Sequence, residues 1–317
     1  MSYTFKPAVR EAVGLLIGLI SPSGGGKTFS AMRLAAGIVG PGNRFAVIDT
    51  EARRALHYAD KFDFDYCELP PPFNPDAYAD AIREADKAGY KAIVVDSCSH
   101  EWSGEGGVLD MQENELQRMA GDDYKKRDNC KMAAWIKPKM AHKKMVQRLL
   151  QSHAHLILCF RAEEKVKMEK GPDGKTRIVP IGWQPVCSKE MPYELTVSFL
   201  LSPDAPGIPQ PIKLQEQHKA LFPLAEKLGE TSGKLISEWA KGGTSPSAPA
   251  KQSADPTPVQ PEKTPPAPTS ASGGSLKPKA GKTRGEAIMC PNFAEALKPI
   301  KNCETCATGK AECPSWG

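Results

Sequence analysis

The stretch LIGLISPSGGGKTFSAMRLA, Leu16 to Ala35, constrains the fold more than any other part of the 317-residue chain. Apolar residues run up to Ser21, three glycines follow, and Lys27 and Thr28 open an alternating pattern. That order predicts a buried strand, a loop free to take left-handed dihedrals, and a helix. Loop amides and the positive helix end then surround an anion. The stretch nearly spells G-x-x-x-x-G-K-[ST], with Ser21 where the first glycine would stand. Ser21 precedes Pro22, which pushes it toward extended backbone, and an extended residue ending a strand needs no glycine. On this reading Ser23, Gly24, Gly25, Gly26, Lys27, Thr28 and Phe29 hold a nucleotide such as ATP. Lys27 reaches the β- and γ-phosphates, and Thr28 ligates Mg²⁺. The plainer alternative is a glycine-rich turn without chemical consequence.

The surrounding sequence supplies what such a loop requires. GLLIGLI (14–20), FAVIDT (45–50), KAIVVDS (91–97) and HLILCF (155–160) are short, apolar and rich in β-branched residues, as parallel strands covered on both faces should be. Helical periodicity over Thr28–Val39, Pro75–Ala88 and Lys137–Ser152 separates them, the pattern of an α/β domain. Ligands bind beyond the carboxyl ends of parallel strands. Asp49, Glu51, Asp96 and Ser97 therefore converge on the glycine loop. Asp96, after four apolar residues, fits the acid that holds Mg²⁺ with Thr28. Glu51 fits a general base for the attacking water. Asp49 reads equally well as a catalytic group or as a structural acceptor for the loop backbone.

SPSGGGKT, VIDTE, IVVDS and LILCFRAEEK together resemble the RecA-like ATPases, over about residues 12–215. Within them the chain is most similar to compact phage-borne proteins of single-strand annealing and recombination. The resemblance implies a RecA-like P-loop NTPase core with a mainly parallel central sheet and a β-rich C-terminal section. It implies Mg²⁺-dependent ATP hydrolysis, stimulated by DNA, with the catalytic glutamate after the second strand, as Glu51 stands. A polar sensor residue follows the fourth strand in this family, which points to Arg161 first and Lys165 second; surface ion pairing is the alternative for both. Single-stranded DNA, other recombination or replication proteins, and a homo-oligomeric ring or filament are the implied partners. A helicase loader or motor ATPase shares this core, and a nucleotide-gated DNA- or protein-binding switch with little turnover is a reading from another class.

The net charge is only +5, so contact with nucleic acid must come from local patches. Residues 122–148 gather Lys125, Lys126, Arg127, Lys131, Lys137, Lys139, Lys143, Lys144 and Arg148 around Trp135. A hairpin turning at Gly171–Gly174 adds Lys165, Lys167, Lys170, Lys175 and Arg177. The resemblance places the loops after the third and fourth strands against DNA, where basic groups neutralise phosphates and an aromatic stacks on a base. A solvated helix face with Trp135 in the core is the bland alternative. His100, Glu101 and Trp102 after the third strand either sense the γ-phosphate or simply pack.

YELTVSFLLS reads as a further strand, and a helix ending at Gly242 closes the ATPase domain, 1–241. Residues 242–285 turn to Pro, Ser, Ala, Thr and Lys without apolar periodicity, which predicts a disordered linker. Beyond it, Cys290, Cys303, Cys306 and Cys313 form C-x12-C-x2-C-x6-C. Four thiolates in a segment too small to bury a core predict a metal-binding module, 286–317. Zn²⁺ is the favoured ion and a [4Fe–4S] cluster the alternative; a disulfide pair or unligated thiols are the lesser, non-metal alternative. No secretory signal is evident and VGLLIGLI is too short to span a bilayer, so a cytoplasmic chain without membrane contact is expected.

Overall fold

In a computed structural model of the chain, the described residues are 14–171 and 175–242, with the backbone of 288–289 and 297–298. The chain divides into two units, Met1–Gln252 and Ser253–Gly317. In the second, Ile288–Met289 pairs antiparallel with Leu297–Lys298. The four tail cysteines and the linker from Gly243 onward lie outside the described residues.

In the first unit, strands β1 (Leu16–Ser21), β2 (Phe45–Asp49) and β4 (Ala92–Asp96) are buried along their whole length. Their continuous apolar runs leave no solvated face, so helices must cover both sides. With β3 (Phe64–Glu68), β5 (His155–Lys170), β7 (Val197–Leu201) and β8 (Pro209–Lys213), they form a sheet ordered β3-β2-β4-β5-β1-β7-β8. All neighbours are parallel except β8, which closes one edge antiparallel to β7. The parallel registers set Asp49 beside Asp96 and Ser21 beside Arg161, gathering the polar strand ends at one rim.

Two apolar layers hold the sheet. Met32, Leu34 and Ile38 of α1 (Lys27–Val39) meet Phe199, Phe222 and Ile236 on one side. Tyr78 and Ile82 of α2 (Pro75–Lys87) meet Met145 and Leu149 of α6 (Ile136–Leu149) on the other. Asn74 caps α2, its Oδ1 accepting from the Ala77 amide at 2.9 Å, and Pro75 fits the first turn, where no amide partner is needed. Among the described residues no helix is long and apolar enough to cross a membrane.

Several elements differ from the sequence expectation. β3 alternates polar residues along a partly exposed edge, and β8 carries Pro209 and Pro211, so neither reads as a buried strand. Helices α3 (Ser99–Ser103), α4 (Val108–Ala120) and α5 (Tyr124–Cys130) fill the stretch between β4 and α6. The strand expected over YELTVSFLLS is shorter, because Met191–Glu194 forms the helical turn α7. The fourth core strand and the first arm of the hairpin are one element. β5 is buried from His155 to Phe160 and then emerges from the sheet to pair antiparallel with β6 (Thr176–Pro185).

Close approach of α1 to α8 (Glu230–Ala240) depends on two glycines. A Cβ on Gly37 would stand 2.4 Å from the Glu230 carbonyl oxygen, and one on Gly233 would stand 2.4 Å from that of Leu34. Both neighbours are backbone and cannot swing aside. Gly233→Ala is therefore expected to destabilise the domain by about 1–3 kcal/mol, measured as a lower midpoint in urea unfolding.

Candidate active site

Ser21 ends β1 at 2% exposure, in extended backbone, and its hydroxyl donates to the Pro22 carbonyl at 2.7 Å. Its side chain occupies the space a Cβ on Gly25 would need: that Cβ would lie 2.2 Å from Ser21 Oγ and 2.2 Å from the Leu201 carbonyl oxygen. Gly24 and Gly26 take φ of 86° and 84°, the left-handed region where only glycine is unstrained. The loop thus turns directly into α1, whose first residue is Lys27. Phe29 sits in the first turn, and its ring packs on Tyr58 and Phe62 at centroid distances of 5.7 and 5.6 Å. What it offers a ligand at the loop is its backbone amide.

Thr28 Oγ1 donates to Asp96 Oδ2 at 2.5 Å. The other oxygen, Asp96 Oδ1, is buried with no hydrogen-bond partner, and Lys27 Nζ stands 3.7 Å from it. A buried carboxylate oxygen lacking a donor, beside a hydroxyl, is the chemistry a hard divalent cation takes. Thr28 and Asp96 accordingly fit Mg²⁺, with a nucleotide's phosphates and water supplying the remaining oxygens. Among the described residues, no group of three or more His, Cys, Asp or Glu side chains is arranged to hold a metal.

Glu51 is 8% exposed and surrounded by cations. Lys27 Nζ lies 3.9 Å from Oε1, Arg161 Nη2 3.0 Å from the same oxygen, and Arg54 Nη1 2.8 Å from Oε2. Burial acts to raise the carboxyl pKa, but Lys27, Arg161 and Arg54 outweigh it, and Glu51 is held below the usual glutamate range. Burial likewise acts to lower the Lys27 pKa, and Asp96 and Glu51 reverse it, so the ammonium stays charged. A cavity of about 380 Å³ opens here, lined by Ser23, Lys27, Glu51, Arg54, Arg161 and Glu163 among others. Arg161 therefore stands where a sensor was expected, and its ion pair is with Glu51 rather than a surface acid. Lys165 lies farther along the exposed arm of β5, opposite Gly182.

Asp49 has a structural role, but the backbone it holds is not that of the glycine loop. Its Oδ1 accepts from the Glu51 amide at 2.6 Å and its Oδ2 from the Ala55 amide at 2.9 Å. The two bonds staple the turn between β2 and the 3-10 helix Arg54–Tyr58. In that turn Ala52 and Arg53 take φ of 53° and 69°, unusual for residues with a Cβ. Arg54 was not visible as a site residue in the sequence. Only the left-handed turn brings it back onto Glu51, three residues earlier.

The residues after β4 pack. His100 Nδ1 pairs with Thr50 Oγ1 at 2.8 Å and its ring stacks on Phe73. Burial, aided by Arg161, pushes its pKa down. Glu101, at 2% exposure, faces His142 Nδ1 at 2.9 Å, and His142 Nε2 pairs with Ser188 Oγ at 2.8 Å. Trp135 is not a core residue. It is half-buried, stacked on Trp102 at 6.0 Å, with Lys139 Nζ 5.7 Å above its ring. Much of the basic segment is already paired within the chain: Arg127 with Glu113, Lys137 with Glu115, Lys144 with Asp76, and Arg148 with Asp76 and Asp80. Lys125, Lys131 and Lys143 are exposed and make no ion pair among the described residues.

A strand–glycine loop–helix cradle at the carboxyl rim of a mainly parallel sheet, with a Thr–Asp pair and a half-buried lysine beside it, defines a P-loop nucleotide-binding α/β domain. More particularly, the chain belongs to the AAA domain family, whose model matches residues 14–199. That membership indicates a nucleotide-binding ATPase domain. A search of curated proteins finds no match to the chain.

Asp49→Ala would leave two buried amides without acceptors. It is expected to cost about 2–4 kcal/mol of stability, read by urea unfolding, whereas a catalytic role alone would leave stability unchanged.

Proposed function

We propose that the chain is a RecA-like ATPase that acts on single-stranded DNA in phage recombination or replication. The observation that carries the hydrolytic part is the placement of Glu51 beside Lys27, with Asp96 and Thr28 on the adjoining strand and helix. Lys27 and the loop amides bind the β- and γ-phosphates. Glu51 takes a proton from water as the water oxygen bonds to the γ-phosphorus and the bond to the bridging oxygen breaks, leaving ADP and phosphate. Thr28 and Asp96 would hold Mg²⁺, which would neutralise charge on the phosphates.

For DNA, the support is narrower than the basic run suggests. It rests on Lys139 over the half-buried Trp135, on the exposed Lys125, Lys131 and Lys143, and on the emergent β5–β6 arm with Lys165 and Lys170. Cation and aromatic together suit a stacked, phosphate-bearing strand. We read the active unit as a homo-oligomeric ring or filament, in the cytoplasm of a host cell, with residues 242–285 as a tether. Residues 286–317 form a Zn²⁺ or [4Fe–4S] module that docks DNA or another recombination or replication protein. A nucleotide-gated switch with little turnover is the second reading, favoured by the three cations that occupy Glu51.

Lys27→Ala should abolish ATP binding in calorimetry, and unchanged affinity would remove the phosphate-cradle assignment. Glu51→Gln should bind ATP but release phosphate at least about 100-fold more slowly; full activity would disqualify it as the base. Phosphate release by the intact protein, with and without single-stranded DNA, separates the readings: stimulation supports the ATPase, and tight binding without turnover supports the switch. Deleting 286–317 should leave ATP binding intact while removing metal seen by elemental analysis of anaerobically prepared protein. A metal-free intact chain would refute the module.

A further inference from the structure

Arg53 and Arg54 are neighbours in sequence with different partners. Arg53 Nε lies 3.1 Å from Glu68 on the edge strand β3. Arg54 instead bonds Oε2 of Glu51 at 2.8 Å and lines the cavity above the glycine loop. The two ends of that ion pair differ sharply in freedom. The Glu51 side chain is 5% exposed, and its backbone amide is tied to Asp49. The Arg54 side chain is 72% exposed, so its guanidinium can swing about its own stem at little packing cost. One member of the pair is buried and tied and the other is exposed, beside a cavity of about 380 Å³.

On this basis we infer that Arg54 is a γ-phosphate-reading residue, one that leaves Glu51 for the terminal phosphate of a nucleoside triphosphate and so frees the glutamate to act as base. The inference rests on the ATPase reading above and adds a determinant of triphosphate over diphosphate. Lys27 defines where the phosphates lie, because its ammonium is 3.9 Å from the same carboxylate. Arg54 holds the opposite oxygen of that carboxylate, so the two cations face one another across Glu51, and both line the same cavity. A terminal phosphate carries more charge than a carboxylate and accepts two parallel guanidinium bonds. A diphosphate ends before that point and leaves Arg54 on Glu51.

The exchange also changes the base. Three cations hold down the proton affinity of Glu51, and a glutamate so held is a poor acceptor. Moving Arg54 onto the phosphate removes one of the three and leaves Oε2 open to water. The proton that the attacking water gives up then has a free oxygen to go to, at the moment when the triphosphate is in place. Hydrolysis consumes the phosphate that draws Arg54 away, and the pair reforms over ADP.

The test compares the full-length protein with Arg54→Ala and Arg54→Lys, titrating each with Mg²⁺-ADP and with a non-hydrolysable Mg²⁺-ATP analogue. Arg54→Ala should lose about tenfold or more of its affinity for the triphosphate analogue, with ADP affinity within about twofold. Arg54→Lys, which keeps the charge but not the planar fork, should fall between. Equal losses for both nucleotides, or no loss for either, would overturn the assignment. So would a drop in kcat with the triphosphate-to-diphosphate affinity ratio unchanged, because that marks a residue that only positions Glu51. A wild-type protein that binds neither nucleotide would sink the ATPase reading itself. Wild-type binding that Lys27→Ala abolishes, alongside an unchanged Arg54→Ala ratio, would leave that reading standing and remove Arg54 alone.

Discussion

Three cations converge on one buried carboxylate, and the arrangement of the rim follows from that convergence. Glu51 comes from the turn after β2, Lys27 from the start of α1, Arg161 from β5 and Arg54 from a 3-10 helix. A buried carboxylate without partners would be protonated or would unfold its surroundings. Here four separate elements must be in register for the charge to be compensated. The ion pairs at the rim therefore act as a check on the sheet order beneath them.

That order is set lower down by apolar strands. β1 is flanked by β5 and β7, so the glycine loop emerges beside Arg161 on one side and beside Leu201 on the other. β4 lies between β2 and β5, which carries Asp96 under Thr28. Gly25, tight against Leu201 and Ser21, shows that the loop is packed onto the sheet and is not a free turn. Its amides are thereby held in place before any anion arrives, and little ordering is left to do on binding.

The same rim connects to the rest of the domain through polar side chains. Thr50, next to Glu51, meets His100; the following residue, Glu101, meets His142, which meets Ser188 just past β6. The residues between β4 and the emergent hairpin are thus tied by hydrogen bonds and not only by apolar contact. Removing one partner from such a buried network leaves another unpaired, which keeps α3, α6 and the base of the hairpin in one arrangement.

Local chemistry made a good part of this legible. Apolar runs with β-branched residues marked the buried parallel strands, and Gly24 to Thr28 marked the phosphate cradle, because those signals depend only on neighbours in the chain. Pro22 explained Ser21 by the same local logic. Edge strands β3 and β8 stayed hidden, since a half-exposed or proline-bearing strand carries no apolar run. Which cations of the basic segment are already paired was not legible, because Glu113, Glu115, Asp76 and Asp80 approach it only after folding. Asp49 read equally as a catalytic group or as an acceptor for the glycine loop, yet only the left-handed turn at Ala52 and Arg53 shows that it staples its own turn. By itself the sequence determined the strand–loop–helix unit and the acids at the strand ends. The tertiary structure alone decided which cations meet Glu51, because ion pairing depends on distances between elements that are far apart along the chain.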